Sequence, residues 1–594
     1  MSEIKPILGD GHVASDAGES AQPTRTLVAP TVADAFLRLL ADRGIAYLFG
    51  NAGTDFAPLI EGLAKAAGDG IPVPRPVTVP HENVAVGMAV GHWLISGQTQ
   101  MVMVHVNVGT ANAMCGLLNA ARANVPLLLT AGRTPITEDG MAGARNIPIQ
   151  WAQEMFDQAG MLREAVKWEY ELRNGAQLES VIDRALAIAS AEPKGPVYLT
   201  LPREVLADRL DGFSYTAAGR SATPRPAHPD PTAIERIAAL AAASDLPLII
   251  TTSLGFDPEA SSALSTLAER LAIPVIQHVP RCMCLPHNHP MHAGYDPVPW
   301  MREADLLLVI ESGVPWIPQQ IRPKPGAVVV HIGVDPQHVR IPIRGFECDL
   351  ALTSLSSAAL RALDEAISVS STRLVARIAA RRERMRGWHQ KRDARMRSSI
   401  EEAKTRTPIH PDWFAHCIAG VVDEDTILIR DAPRFSPQYL TLERTGTYFS
   451  AGAAGGLGWG MGAALGAKLA APDRTLIAIE GDGAYIFNCP VAAHYVAMAE
   501  DLPFLTVIMD NRGWGEVRSA TRHLYPDGAV ARKVGLESFT DFDERLRLER
   551  VVEAAGGHGE RVTDPSQLSD ALRRALRMVR EDRRQVVLDV VCSY

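Results

Sequence analysis

Two polar turns near the end of the chain carry groups that can bind a metal ion. Each turn directly follows an apolar, β-branched run, and a helix-like segment separates the two runs. The groups belong to Gly481, Asp482 and Gly483 in the first turn and to Asn511 and Gly513 in the second. A strand–helix–strand unit places both turns at the carboxyl edge of a parallel sheet, where such sheets bind ligands. A carboxylate, an amide oxygen and a backbone carbonyl suit Mg²⁺, which takes its other ligands from water and a phosphate-bearing partner.

The stretch 475–514 resembles the cofactor-binding motif of thiamine diphosphate-dependent enzymes of the pyruvate decarboxylase/acetolactate synthase superfamily. That motif usually ends in Asn-Asn, whereas this chain has Asp510-Asn511 and keeps the second, ligating asparagine. The resemblance implies that Asp482, Asn511 and the Gly513 carbonyl bind Mg²⁺. It also implies that the glycines beside Asp482 let the backbone approach the diphosphate. The alternative is a pair of ordinary turns at strand ends.

Glu82 opens a helix in an otherwise apolar segment. Taken alone, it is a first-turn glutamate favoured by the helix dipole. The resemblance instead makes Glu82 the residue that activates the cofactor. A carboxylate bonded to N1′ of the aminopyrimidine stabilises the imino tautomer, and the imino nitrogen then takes the proton from C2 of the thiazolium.

The segment 105–132 resembles the benzoylformate decarboxylases more specifically, through the pattern His-x-x-x-Gly-Thr-x-Asn-Ala-Met. The resemblance places the active-site histidine of that family on His105. It places the family's active-site serine, which lies in a Gly-Asn-Pro-Gly-Ser turn, on Thr54 in Gly-Asn-Ala-Gly-Thr. The hydroxyl is kept at Thr54, and the added methyl group narrows the predicted pocket.

A loop in the middle of the chain carries three histidines, His287, His289 and His292. The resemblance assigns the second active-site histidine to His289, with one extra residue in the motif, so His287 and His292 stay open as rivals. A histidine near neutral pH can exchange protons with a carbinol intermediate. The alternatives are a solvated loop histidine and a metal site, although the prolines of this loop make regular ligand geometry doubtful.

Glycines fill the segment 448–470 ahead of a small-residue helix. In the superfamily a bulky apolar residue here holds the cofactor in a bent shape. The resemblance places that residue at Leu457, with the Gly455 carbonyl accepting a hydrogen bond from the aminopyrimidine. Beyond Trp514, residues 518–533 are predicted to form a loop that closes over the substrate.

The composition excludes several classes of protein. The chain has 594 residues, a net charge of −9, and 47% hydrophobic and 21% charged residues. The negative charge argues against nucleic-acid binding, even for the basic helix near residues 374–404. No apolar run reaches the roughly 18 residues that would span a membrane. The seven cysteines form no zinc or disulfide pattern, and together with the absence of an apolar signal peptide they indicate a reducing cytoplasm.

The alternation of strand-like and helix-like segments predicts an α/β protein of three domains, each a mostly parallel sheet flanked by helices. The expected divisions are a disordered tail at 1–27, a pyrimidine-binding domain at 28–205, a linker at 206–226, a central domain at 229–370, a connector helix at 371–407, and a diphosphate- and Mg²⁺-binding domain at 408–594.

The resemblance implies an enzyme rather than a binding protein that has lost catalysis. The expected activity is a thiamine diphosphate- and Mg²⁺-dependent 2-oxo acid decarboxylase or other C–C lyase that acts through a covalent enamine intermediate. An acetolactate synthase-like carboligase is the second alternative, and a coenzyme A thioester lyase of the oxalyl-CoA decarboxylase kind is the third.

The same resemblance bears on partners and further cofactors. A homodimer or homotetramer is expected, with active sites between the first domain of one subunit and the third domain of its neighbour. Acetolactate synthases carry FAD in the central domain. The first strand of that domain has no Gly-x-Gly-x-x-Gly fingerprint after it, and we expect no FAD here.

Overall fold

The computed structural model describes residues 23–451, 454–532 and 538–594. In its first part, a six-stranded parallel sheet has the order β3-β2-β4-β5-β7-β6, and β1 pairs with β8 in a separate antiparallel ribbon. The strands are β1 Thr24–Val28, β2 Tyr47–Gly50, β3 Arg75–Thr78, β4 Met101–Val104, β5 Leu128–Arg133, β6 Glu169–Glu171, β7 Val197–Pro202 and β8 Gly212–Thr216. The helices are α1 Val32–Asp42, α2 Ala57–Asp69, α3 Glu82–Ser96, α4 Val106–Asn112, α5 Met114–Arg122, α6 Ile149–Ala152, α7 Leu178–Ser190 and α8 Arg203–Ala207.

The middle part is a five-stranded parallel sheet of order β10-β9-β11-β12-β13, followed by a long connecting helix. The strands are β9 Pro247–Thr251, β10 Val275–Gln277, β11 Leu306–Ile310, β12 Val328–Gly333 and β13 Leu350–Thr353. The helices are α9 Pro231–Ala243, α10 Pro258–Leu271, α11 Val298–Met301, α12 Ser356–Ala366 and the connecting helix α13 Thr372–Ala403.

The last part is a six-stranded parallel sheet of order β15-β14-β16-β17-β19-β18. The strands are β14 Thr426–Asp431, β15 Tyr448–Ser450, β16 Thr475–Gly481, β17 Leu505–Asp510, β18 His558–Val562 and β19 Val586–Val591. The helices are α14 Pro411–Ala419, α15 Gly460–Ala470, α16 Asp482–Phe487, α17 Pro490–Ala499, α18 Gly515–Leu524, α19 Ala529–Arg532 and α20 Leu568–Arg580. The three parallel sheets confirm the predicted fold class.

Three local predictions were wrong. Strand β1 begins within the stretch predicted to be a disordered tail and ends one residue after it, and β8 lies within the predicted linker. Each strand satisfies the backbone groups of the other across a large sequence separation. Residues 1–22 lie outside the described residues. The predicted loop after Trp514 is largely helical in its described part, because α18 and α19 occupy it.

Helices α3 and α15 join the first and last parts of the chain. Both consist mainly of buried small residues, and their backbones come so close that side chains are excluded. A Cβ on Gly91 would lie 2.0 Å from the Ala463 carbonyl oxygen, and one on Gly466 would lie 1.9 Å from that of Met88. This contact sets the first residues of α3 beside the glycine-rich segment that precedes α15. No helix in the described part of the chain has the length and apolar character needed to cross a membrane.

Candidate active site

The two polar turns meet because β16 and β17 are adjacent parallel strands. Asp482 follows β16 directly and is only 2% exposed. Its Oδ1 accepts a hydrogen bond from the Gly483 amide at 2.8 Å, and its Oδ2 accepts one from the Gly513 amide, also at 2.8 Å. The second bond locks the turn after β17 against the turn after β16. Burial raises the pKa of the Asp482 carboxyl, and a cation beside it would favour the ionised form.

Asn511 supplies an observation that the sequence alone could not provide. Its Oδ1 is buried and has no hydrogen-bond partner. A buried polar atom without a partner costs free energy, about 1–3 kcal/mol, unless a donor or a cation reaches it. The orphan acceptor and the Asp482 carboxylate therefore fit a hard divalent cation. No cluster of three or more His, Cys, Asp or Glu that could hold a metal occurs among the described residues, so this oxygen-rich set with one carboxylate differs from such centres.

The backbone of the second turn is tightly constrained. Arg512 and Gly513 have φ values of 61° and 149°, and a Cβ on Gly513 would lie 1.9 Å from the Thr540 carbonyl oxygen. The Gly513 carbonyl accepts from the Gly515 amide at 2.9 Å, and its second lone pair is left for a metal ion. Glycine is thus required at position 513 for both its conformation and its lack of a side chain.

Asp510 replaces the first asparagine of the usual motif and has a structural role here. Its Oδ1 accepts from the Arg512 amide at 2.9 Å, and its Oδ2 pairs with Arg561 at 3.0 Å. Both carboxylate oxygens are therefore engaged within the protein. The departure from the usual motif leaves Asp482 and Asn511, the two side chains predicted to bind Mg²⁺, in place.

The glycine-rich segment before α15 is held by asparagines of the first part of the chain. Asn119 of α5 donates to the Gly456 carbonyl at 2.7 Å and accepts from the Gly456 amide at 3.1 Å. Asn83 of α3 donates to the Gly458 carbonyl at 3.0 Å. Leu457 lies between the two anchored glycines and is half-buried, and Gly455 directly precedes them and is exposed with a φ of 68°. Both predicted cofactor contacts thus lie on a segment fixed from two helices.

Glu82 is the first residue of α3 and is 5% exposed. The side-chain amide of Asn51, after β2, donates to its Oε1 at 2.9 Å, and that of Asn112, at the end of α4, donates to its Oε2 at 3.2 Å. Sequence reasoning missed both asparagines, although they stand inside the Gly-Asn-Ala-Gly-Thr and Gly-Thr-x-Asn motifs that located Thr54 and His105. Two amide donors therefore fix the orientation of the Glu82 carboxylate.

His105 follows β4 and caps α4. Its Nδ1 lies 2.6 Å from Oδ1 of Asp55, a buried carboxylate that sequence reasoning also missed. Hydrogen bonding and charge from Asp55, with a further contribution from the charge of Glu82, raise the pKa of His105 against the opposing effect of burial. The imidazole is 24% exposed, so this histidine is both charged more readily and accessible.

Thr54 lies next to Asp55 in the same turn and is exposed. Its carbonyl oxygen accepts from Arg203 at 3.4 Å, and its hydroxyl makes no hydrogen bond within the described part of the chain. The structure thus places Thr54 beside the His105 pair, on the solvent side, where its role stays a prediction.

Among the described residues, the contacts of the three histidines of the central loop do not include Glu82 or His105. His289 is 7% exposed; its Nδ1 accepts from the Met291 amide at 3.1 Å, its Nε2 has no partner, and burial lowers its pKa. The charges that act on it belong to Glu269 and His389, whereas those acting on His105 belong to Asp55 and Glu82. The assignment of His289 therefore stays a prediction.

The rival histidines have different surroundings. His287 and His292 line a cleft of about 1140 Å³ between the central sheet, α13 and the C-terminal part. His287 contacts the Leu442 carbonyl at 3.0 Å, and His292 contacts the Gln277 amide at 2.7 Å. Burial lowers the pKa of His287 to about 4 and that of His292 well below its usual range. Both imidazoles are therefore neutral groups held in internal hydrogen bonds.

Comparison with known proteins identifies three domains of one enzyme family in this chain. Three models of thiamine pyrophosphate enzymes match in sequence order: the N-terminal TPP-binding domain at residues 30–161, the central domain at 234–363 and the C-terminal TPP-binding domain at 432–590.

Relatives and a solved structure extend over most of the chain. The acetolactate synthase isozyme 3 large subunit of Escherichia coli is 24% identical, over 93% of each chain. Benzoylformate decarboxylase of Pseudomonas aeruginosa is 28% identical over 82% of this chain and 87% of that one. The crystal structure of benzoylformate decarboxylase from Polynucleobacter necessarius superposes with a TM-score of 0.76 at 21% identity, over 95% of this chain and 98% of that one. The chain belongs to the thiamine pyrophosphate-dependent enzyme family.

Proposed function

We propose that this chain is a thiamine diphosphate- and Mg²⁺-dependent enzyme that cleaves the C–C bond next to the carbonyl of a 2-oxo acid and releases carbon dioxide and an aldehyde. The observation that carries the proposal is the pairing of Glu82 with His105. A buried, doubly hydrogen-bonded carboxylate lies within electrostatic reach of an accessible histidine whose pKa is raised. One group can orient a cofactor, and the other can exchange a proton with a reacting carbon.

The residues of this chain divide the work as follows. Asp482, Asn511 and the Gly513 carbonyl would hold Mg²⁺ and, through it, the diphosphate. Glu82 would bind the pyrimidine ring at N1′. When bound, thiamine diphosphate supplies the electron sink that makes C–C cleavage feasible. His105 would deliver the proton that completes the aldehyde product, because its Nε2 is on the accessible side of the ring.

A second copy of the chain is part of the proposal. Helix α17 presents Val491, Tyr495 and Met498 to solvent with exposures of 70%, 39% and 52%. Their spacing of four and three residues places them on one face of the helix. Phe487, just before this helix, is also half exposed. This exposed apolar stripe supports a homodimer or homotetramer in which a second copy covers α17.

The test is a release assay. Purified protein with Mg²⁺ and thiamine diphosphate is given a panel of 2-oxo acids, from pyruvate to benzoylformate, and carbon dioxide and aldehyde are measured together. We expect equal amounts of the two products from at least one acid. Carbon dioxide without matching aldehyde would instead identify an acetolactate synthase-like carboligase. If no acid of the panel gives either product, the proposal is contradicted and a thioester or another substrate that is not a 2-oxo acid is favoured.

A further inference from the structure

Asp55 is a buried carboxylate that uses both of its oxygens. It is 3% exposed; Oδ1 lies 2.6 Å from Nδ1 of His105, and Oδ2 accepts from the Val106 amide at 3.2 Å. A Cβ on Gly132 would lie 1.8 Å from Oδ2, so β5 passes against this carboxylate at a position where only glycine fits. The carboxylate is thus fixed from β4 and β5 as well as from its own turn.

The imidazole of His105 is equally constrained on the side that faces Asp55. A Cβ on Gly53 would lie 2.1 Å from its Nδ1, so the ring rests on the backbone of the turn that carries Asp55. The opposite nitrogen, Nε2, lies 3.5 Å from the side-chain nitrogen of Gln153. Nδ1 therefore points into the protein, and Nε2 faces the partly open side of the site.

We infer that Asp55 is a positioning residue that keeps a proton on Nδ1 of His105 and so leaves Nε2 as the atom that exchanges protons with the substrate. The inference deepens the proposed function and rests on it for its catalytic part. The pattern is the one used by carboxylates that orient a catalytic histidine: the carboxylate selects the tautomer and stabilises the imidazolium that forms when Nε2 takes a proton.

An aspartate at position 55 can keep the proton on Nδ1 of His105, whereas an asparagine could not. Both groups facing Asp55, the Nδ1–H of His105 and the N–H of Val106, are donors, and a carboxylate accepts from both. The amide of an asparagine would turn its NH₂ toward one of them, either opposing Val106 or donating to Nδ1 and selecting the wrong tautomer. Of the titratable groups that face His105, Asp55 and Glu82 are both acidic, so removing the charge of Asp55 must lower the pKa of His105.

The kinetic test uses Asp55→Asn, His105→Gln and the double variant, each with Mg²⁺ and thiamine diphosphate on the best 2-oxo acid. We expect Asp55→Asn to lower kcat at least about 100-fold, the usual scale of acid–base catalysis, with KM changed less than about threefold. If Asp55 acts through His105, the double variant loses no more than His105→Gln alone. Additive losses would overturn the inference.

A matched control comes from the central part of the chain. Asp305 is a partly buried carboxylate that accepts from the Ser244 hydroxyl and from two backbone amides, and no histidine among the described residues forms a hydrogen bond or ion pair with it. Asp305→Asn should leave kcat within about twofold of wild type. A loss as large as that of Asp55→Asn would show that the effect is a general cost of removing a buried carboxylate, and it would overturn the inference.

A second readout needs neither cofactor nor substrate. Exchange of the imidazole C2 hydrogen, followed by peptide mass spectrometry as a function of pH, reports the pKa of His105 in the resting protein. We expect a value above the ordinary 6.5 in wild type and a lower one in Asp55→Asn. If the pKa of His105 in wild type is ordinary or lowered, the inference that Asp55 stabilises the imidazolium of His105 is refuted, even if Asp55→Asn fails to fold. If no 2-oxo acid of the panel gives product but His105 titrates as expected, the proposed reaction is refuted and the interaction of Asp55 with His105 is still supported.

Discussion

Replacing Glu82 with glutamine should reduce turnover by about 100- to 10,000-fold, the range of acid–base catalysis, while the protein stays folded. The carboxylate accepts from Asn51 and Asn112 at once. Glutamine keeps the size of the side chain but offers one oxygen in place of two, so one asparagine loses its acceptor at a cost of about 1–3 kcal/mol. The variant would also lack the carboxylate that is proposed to bind N1′ of the cofactor. Initial rates at saturating Mg²⁺ and thiamine diphosphate measure the effect.

The control for this variant is Glu179→Gln. Glu179 is also a buried glutamate of the first part of the chain, with Oε1 accepting from the amide and hydroxyl of Thr216 at 2.8 Å. It also pairs with Arg43 at 3.6 Å. Its replacement should lower stability at least as much as Glu82→Gln and leave turnover within about twofold. Full activity in Glu82→Gln would refute the assignment of Glu82 as the activating residue.

Asn511→Leu should have opposite effects on the protein alone and on the protein with its cofactor. Leucine has nearly the same shape but removes the buried oxygen that lacks a partner. Without cofactor, the urea midpoint should stay at or above the wild-type value, because an unsatisfied acceptor costs about 1–3 kcal/mol. Binding of Mg²⁺ with thiamine diphosphate should weaken at least about 100-fold, or about 2.7 kcal/mol.

Thermal unfolding with and without Mg²⁺ and thiamine diphosphate separates these effects. Wild type should gain stability on adding the cofactors, since a ligand that binds only the folded state raises the unfolding temperature. Asn511→Leu should show almost none of that gain, while Asn288→Leu, at an exposed loop position, should show it in full. If adding the cofactors raises the unfolding temperature of Asn511→Leu as much as that of wild type, the Asn511 side chain is not a Mg²⁺ ligand.

The strands that the sequence predicted lie almost entirely inside the sheets. β16 and β17 are buried over nearly their whole length, and their continuous apolar runs are typical of parallel strands covered on both faces. The strands that were missed include β3, β6, β13, β15 and β18, which are the outermost strands of the three parallel sheets. Edge strands such as β6 and β18 are only partly buried and carry charged residues, so no apolar run marks them.

The functional site divides in a similar way. Asp482, Asn511 and Glu82 stand in motifs with recognisable spacing and could be named from the sequence. The groups that hold them could not, because Asn51, Asn112 and Asp55 reach Glu82 and His105 only when separate turns meet at one edge of the first sheet. Asp55 did carry a signal in the sequence, because it is a charged residue directly after Thr54 in the predicted active-site turn. The structure shows that this aspartate is buried. His289 is the opposite case. Its motif resembles that of an active-site histidine, but in the structure the charges that act on it come from Glu269 and His389 and not from Glu82 or Asp55.

The central claim is that this chain binds thiamine diphosphate and activates it through Glu82, and exchange of the C2 proton tests it without knowledge of the substrate. The protein is mixed with Mg²⁺ and thiamine diphosphate, diluted into D₂O for set times and quenched in acid, and the remaining C2 proton is counted by NMR. The account predicts exchange at least about 100-fold faster than for free cofactor in wild type and near the free rate in Glu82→Gln. Exchange in wild type at the rate of the free cofactor would contradict it.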